Sequence, residues 1–118
     1  MCPEEVSPLI KLKVRVNRDF SVQGVYDTGS NATLVNYDLV KRIKAKLIEH
    51  KSVFKTLSGV NFTRSRAKLY MKINNIEEVM DVYVVRNNHF AFDLLLGLDA
   101  IKKFRLSQDE NFNIFQSR

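Results

Sequence analysis

A single cysteine, Cys2, excludes an internal disulfide framework, so burial and hydrogen bonding alone must hold the fold. It stands in a proline-containing leader, which predicts an exposed thiol without a role. The two histidines, His50 and His89, are too isolated to form a metal site or a Ser/His/Asp set, and neither a metal nor a cofactor is expected. No window approaches the roughly 18 to 20 continuous apolar residues of a membrane helix, so no membrane partner is expected either. The N-terminal Met-Cys-Pro-Glu-Glu lacks the basic start and apolar stretch of a secretory signal, which predicts a cytoplasmic protein. There is no internal repeat, no low-complexity tract, no dense basic run and no zinc-knuckle spacing.

The chain does have enough residues for one core. Its 118 residues, 45% hydrophobic and 27% charged, suit a single globular domain, with residues 1–8 as a flexible leader and 9–118 as the folded unit. The net charge of +6 reads first as lysines and arginines scattered for solubility, and second as a surface for unspecific nucleic-acid binding.

Period-two alternation dominates. Leu9 to Val16 alternates apolar and charged residues as a half-buried strand does, and the turn-rich Asn17-Arg18-Asp19 leads into a second β-like run, Phe20 to Tyr26. That strand delivers the chain into Asp27-Thr28-Gly29-Ser30. Apolar residues at Leu39, Val40, Ile43, Leu47 and Ile48 predict an amphipathic helix within Asp38 to His50, capped by Asn36 or Asp38, or a shorter helix whose C-terminal half is already strand. Ser52 to Thr56 and Phe62 to Ile73 read as strands flanking a hairpin centred on Gly59. Asn74-Asn75 is a tight turn before Val79 to Val85, a β-branched strand expected to pair with Lys68 to Ile73. Phe92 to Gly97 reads as a strand buried on both faces, Asp99 as the cap of a helix over Ala100 to Phe104, and Asn111 to Phe115 as a final strand.

Three signals in order, namely a strand into Asp27-Thr28-Gly29-Ser30, a glycine-tipped hairpin, and an apolar strand into Leu95-Leu96-Gly97, resemble the retropepsins, the aspartic proteases of retroviruses and LTR retrotransposons. The resemblance covers roughly Leu9 to Phe115, and Leu96-Gly97-Leu98-Asp99-Ala100-Ile101 looks more like the Ty3/Gypsy-type enzymes than the lentiviral ones. It implies a mainly β fold, a closed acid-protease barrel with one or two short helices that forms half of a C2 dimer. By the same resemblance Asp27 is the catalytic residue of an aspartic endopeptidase that processes a retroelement polyprotein, in the cytoplasm or within virus-like particles. Thr28 then reaches across the dimer, Gly29 permits the tight turn, and Ser30 hydrogen-bonds near the outer carboxylate oxygen. Ser58, Gly59 and Val60 match the flap, and Leu95, Leu96 and Gly97 the strand that braces the loop. Asn31, Ala32 and Leu98 replace the acidic residues and arginine that many retroviral members carry at these places, so both halves of a potential ion pair are missing together.

The chemistry explains why such a site must be doubled. One carboxylate must take a proton from water while a carboxylic acid polarises the scissile carbonyl, and one aspartate cannot be both. Two carboxyl groups about 3 Å apart cannot both ionise, so identical residues share one proton and divide the roles. With one Asp-Thr-Gly per chain, the second carboxylate must come from a second copy, making a homodimer that takes an extended polypeptide substrate. Two other readings fit the same residues: a catalytically silent module of this fold that dimerises or binds peptides, and a basic nucleic-acid-binding domain.

Overall fold

The computed structural model describes residues 10–57, 59–86 and 92–117. It is mainly β. Strands β1 (Ile10–Val16) and β2 (Phe20–Tyr26) form the expected hairpin, and its turn places Asn17 and Arg18 at positive φ. After β3 (Leu34–Asn36) comes helix α1 (Tyr37–Arg42), then β4 (Leu47–Thr56), β5 (Gly59–Ile73) and β6 (Ile76–Val85). The chain closes with β7 (Leu94–Leu96), helix α2 (Leu98–Lys103), β8 (Leu106–Gln108) and β9 (Ile114–Gln116).

Seven strands share one sheet in the order β1-β2-β7-β3-β6-β5-β4. β1 also pairs with β5, through Arg15 with Lys72 and Val16 with Met71, so the hydrogen-bonded order returns on itself and leaves β4 outside the circuit. Alternation explains the interior: Val14 and Val16 from β1, Ala67, Leu69, Met71 and Ile73 from β5, and Met80, Val82 and Val84 from β6 all point inward. Both helices close this core with Leu39, Val40, Ala100 and Ile101, and Phe104 beyond α2 is fully buried.

Other elements decide between two expectations or depart from them. The pattern over Asp38 to His50 follows the second of its two readings, a shorter helix and then strand: α1 stops at Arg42, Lys44 turns the chain at φ 57°, and Leu47 to Glu49 already pair with β5. Asn36 is the N-cap, its side chain accepting from Asp38 N at 2.8 Å. Asp99 does not cap α2; Gly97 occupies that position and Asp99 lies in the first turn. The hairpin is not centred on Gly59, which pairs with Thr56 as the first residue of β5. Ser58 falls outside the described residues, as do Cys2, Leu9 and His89.

The last strand is also displaced. Phe112 sits in a turn at φ 65°, and β9 pairs with β8 of its own chain, while β1 pairs along its length with β2 and at Arg15 and Val16 with β5. The Gln116 amide donates to Ile73 O at 3.2 Å and Phe104 O at 2.9 Å, tying this hairpin to the core. Phe112 and Phe115 are left half exposed.

Candidate active site

The sheet order puts β7 between β2 and β3, strands that follow one another in sequence. β2 runs parallel to β7, with Tyr26 beside Leu96, and the Asp27 amide extends the ladder by donating to Leu96 O at 3.0 Å. This holds the backbone of Asp27 at the end of β2 beside the buried β7, while its side chain is half-buried. The Gly29 amide donates to Asp27 Oδ1 at 2.8 Å, closing a turn in which that oxygen is oriented. Among the described residues Oδ2 has no hydrogen-bond partner.

Beyond the turn, two crossing segments lock together. Ser30 is fully buried; its carbonyl accepts from Leu98 N at 2.8 Å and its hydroxyl donates to Ala32 O at 2.7 Å. At Gly97 the two chains touch so closely that a Cβ would lie 2.3 Å from Ala32 O. Only glycine fits there, which is the physical reason for the Leu95-Leu96-Gly97 pattern. Leu95 packs with Ala32, Leu34 and Phe54 in a second small apolar cluster, and Leu96 belongs to the main core.

A second brace was not legible in the sequence. The hydroxyl of buried Thr33 donates to Asp99 Oδ1 at 2.6 Å and accepts from Gly97 N at 3.2 Å, while Thr33 N donates to Asp99 Oδ2 at 3.2 Å. Asp99 also receives Ala100 N at 2.7 Å. These partners lie 66 residues apart, and only Asp99 in the first turn after Gly97 hinted at the pairing.

Asn31 also has a task. It exchanges two hydrogen bonds with Lys55 of β4, donating N–H to Lys55 O at 3.0 Å and accepting Lys55 N at 2.9 Å on Oδ1. The β4–β5 hairpin is thereby hung beside the Asp27 loop. Leu57 at its tip lies against Gly29, where an added Cβ would come within 2.5 Å of Leu57 Cγ, although Leu57 itself is 90% exposed. Val60 and Phe62, which follow Gly59, are exposed as well. Thr28 is exposed, and among the described residues its hydroxyl has no partner. A cavity of about 330 Å³ beside the β4–β5 hairpin is lined by Phe54, Asn61, Phe62, Thr63, Arg64 and Arg86, and Asp27 is not among its lining residues. Among the described residues no His, Cys, Asp and Glu cluster could hold a metal, and no helix is long and apolar enough to cross a membrane.

No family model matches this sequence, and no curated protein does. Solved structures do. The retroviral protease-like domain of Ddi1 from Leishmania major superposes with TM-score 0.68 at 17% identity, over 95% of this chain and 88% of that one. The EIAV protease complexed with the inhibitor HBY-793 gives TM-score 0.65 at 14% identity, over 86% and 92%. The fold is retropepsin-like. A protein of unknown function from Legionella pneumophila, Lpg0085, is similar at TM-score 0.54 and 20% identity, over 80% of this chain and 84% of that one. Within that retropepsin-like fold the structure brings Asp27, Gly29, Ser30, Leu96 and Gly97 into one hydrogen-bonded unit, and the β4–β5 hairpin meets it at Gly29.

Proposed function

We propose that this chain is one subunit of an aspartic endopeptidase, active as a symmetric homodimer in which the Asp27 carboxylates of both copies form the catalytic pair. The observation that carries this reading is Asp27 itself: its main chain is locked to β7, one carboxylate oxygen is oriented by Gly29 and the other is open. One Asp27 takes a proton from water as the oxygen attacks the scissile carbonyl carbon, and its partner donates a hydrogen bond to the carbonyl oxygen. Thr28, exposed beside Asp27, supports contact with the second copy, as does Leu98, which is 38% exposed where its amide meets Ser30. The strand circuit is then the closed barrel of one half-enzyme. The β4–β5 hairpin acts as the flap, and an extended polypeptide lies beneath it, held through backbone hydrogen bonds. The Ty3/Gypsy-like run from Leu96 to Ile101 favours a retroelement polyprotein as that substrate.

The test is proteolysis of unfolded protein substrates with and without a pepstatin-like inhibitor, beside Asp27→Asn. The substitution is nearly isosteric and removes the ionisable group, so cleavage should fall to background while the circular dichroism spectrum is unchanged. Specific activity should fall on dilution as dimers dissociate, and the rate should be bell-shaped in pH with an acidic optimum. Inhibitor-insensitive cleavage, or full activity of Asp27→Asn, refutes the assignment.

A further inference from the structure

The basic residues that look scattered in the sequence are partly collected by the fold. Val14, Val16, Met71 and Ile73 point into the core, so their neighbours Lys13, Arg15 and Lys72 point out, and the pairing of Arg15 with Lys72 sets them side by side. With Asn74 they line a surface cavity of about 250 Å³. Asn17 pins the β1–β2 turn to β5, its N–H donating to Tyr70 O at 2.8 Å and its Oδ1 accepting Tyr70 N at 3.2 Å. This carries the Arg18 guanidinium to 5.1 Å from the centre of the Tyr70 ring. Two carboxylates stand against these four cations: Glu77, 3.9 Å from Lys72 and adjacent to Tyr70, and Asp19 in the turn. An exposed pair such as Lys72 with Glu77 is weak and leaves the lysine available.

We propose that this face binds the phosphate backbone of single-stranded nucleic acid, with a base stacked on the Arg18–Tyr70 pair. Lys13 and Arg15 are two residues apart on one strand face, about 7 Å, a spacing similar to that of successive phosphates in an extended strand. A guanidinium over an aromatic ring is a planar platform that every base can use, whereas an acidic polypeptide would satisfy the cations and leave that platform idle. The face is a sheet surface with no helix to enter a groove, so binding is sequence-independent. Arg15 sits opposite Ser21 and Lys13 opposite Gln23, so roughly 20 Å and about 13 Å of strand separate them from the proposed catalytic loop.

Anisotropy of a labelled oligothymidylate of about 20 nucleotides, titrated with the full chain at several salt concentrations, tests the assignment. Three phosphate contacts, from Lys13, Arg15 and Lys72, give a slope of log affinity against log salt of about −2, and Lys13→Gln with Arg15→Gln should bring it to about −0.7. That pair should also weaken binding at least about fivefold at low salt, and Arg18→Gln with Lys72→Gln should do the same from other elements, which keeps the test decisive if one variant folds poorly. Lys102→Gln with Lys103→Gln removes equal charge from α2 and should change affinity less than about twofold. Equal weakening by the α2 pair, no weakening by either face pair, or competition by polyglutamate as strong as by unlabelled oligonucleotide would each overturn the proposal.

Discussion

Thr33→Val is the most demanding test of how the Asp27 loop is held. Valine keeps the shape of threonine and deletes the hydroxyl, which in this fully buried residue donates to Asp99 at 2.6 Å and accepts from Gly97 N at 3.2 Å. The Gly97 N–H would then be buried without a partner, a cost of about 1 to 3 kcal/mol. Asp99 would lose one charge-assisted bond but keep Thr33 N and Ala100 N, and it is accessible enough for water to replace the missing donor, so about 1 kcal/mol is added. The sum is about 2 to 4 kcal/mol. For a chain of this size that lowers the melting midpoint by roughly 8 to 16 °C. Because the sequence has no tryptophan, urea unfolding is best followed by far-ultraviolet circular dichroism, at one fixed protein concentration since dimerisation would shift the midpoint. Thr33→Ser keeps the hydroxyl and gives up one methyl, about 1 kcal/mol. If Thr33→Val fell within about 0.5 kcal/mol of the unmodified chain, or if serine were no better than valine, the hydroxyl would not be the brace described.

Gly97→Ala forces a Cβ into the backbone of Ala32, which has no way to yield, so a loss above about 3 kcal/mol or failure to express solubly is expected. Gly29→Ala meets only the side chain of exposed Leu57, and its stability in urea should change by less than about 1 kcal/mol as that side chain swings away. Asn31→Ala removes the acceptor of the Lys55 amide, whose hydrogen exchange should accelerate while the β1–β2 amides keep their protection. The Asp109 carboxyl is held below the usual range by the Asn113 amide first and then the Asn111 amide, and both bonds favour the charged form. The group therefore stabilises the fold above its unfolded-state pKa and stops doing so as pH falls through the lower folded value. Asp109→Ala should be less stable than the parent at neutral pH, with the difference vanishing in strong acid.

The strands that read clearly are those with one wet face. β1 and the second half of β5 alternate because one side meets solvent and the other the core, and Asn17 and Asn74 mark their turns at positive φ. β4 was harder: Leu47 and Ile48 are adjacent apolar residues, and the register shifts between Glu49 and Ser52, so period two is lost where the helix pattern was still running. The three-residue β8 carries too few positions for any period. Asp27 and Gly29 were legible because their turn is local, whereas Gly97 was read only through the Leu95-Leu96-Gly97 resemblance, since the backbone it approaches is that of distant Ala32. The couplings of Thr33 to Asp99 and Asn31 to Lys55 join distant parts of the chain, and a polar side chain does not announce which distant partner will satisfy it.

The position of β7 between β2 and β3 also sets an order of events in time. Asp27 is made early, yet its amide waits for the carbonyl of Leu96, and Ser30 and Thr33 wait for Leu98 and Asp99. A nascent chain that has emerged as far as β6 therefore holds the aspartate in a loop with neither its neighbour strand nor its braces. Closing so long a loop costs chain entropy before any contact repays it, and such non-local pairing slows folding. The carboxylate comes into position only when residues 94–99 are inserted, so the segment that completes the core also switches on the loop. A chain that lost this segment would keep the Asp-Thr-Gly motif and have nothing to hold it.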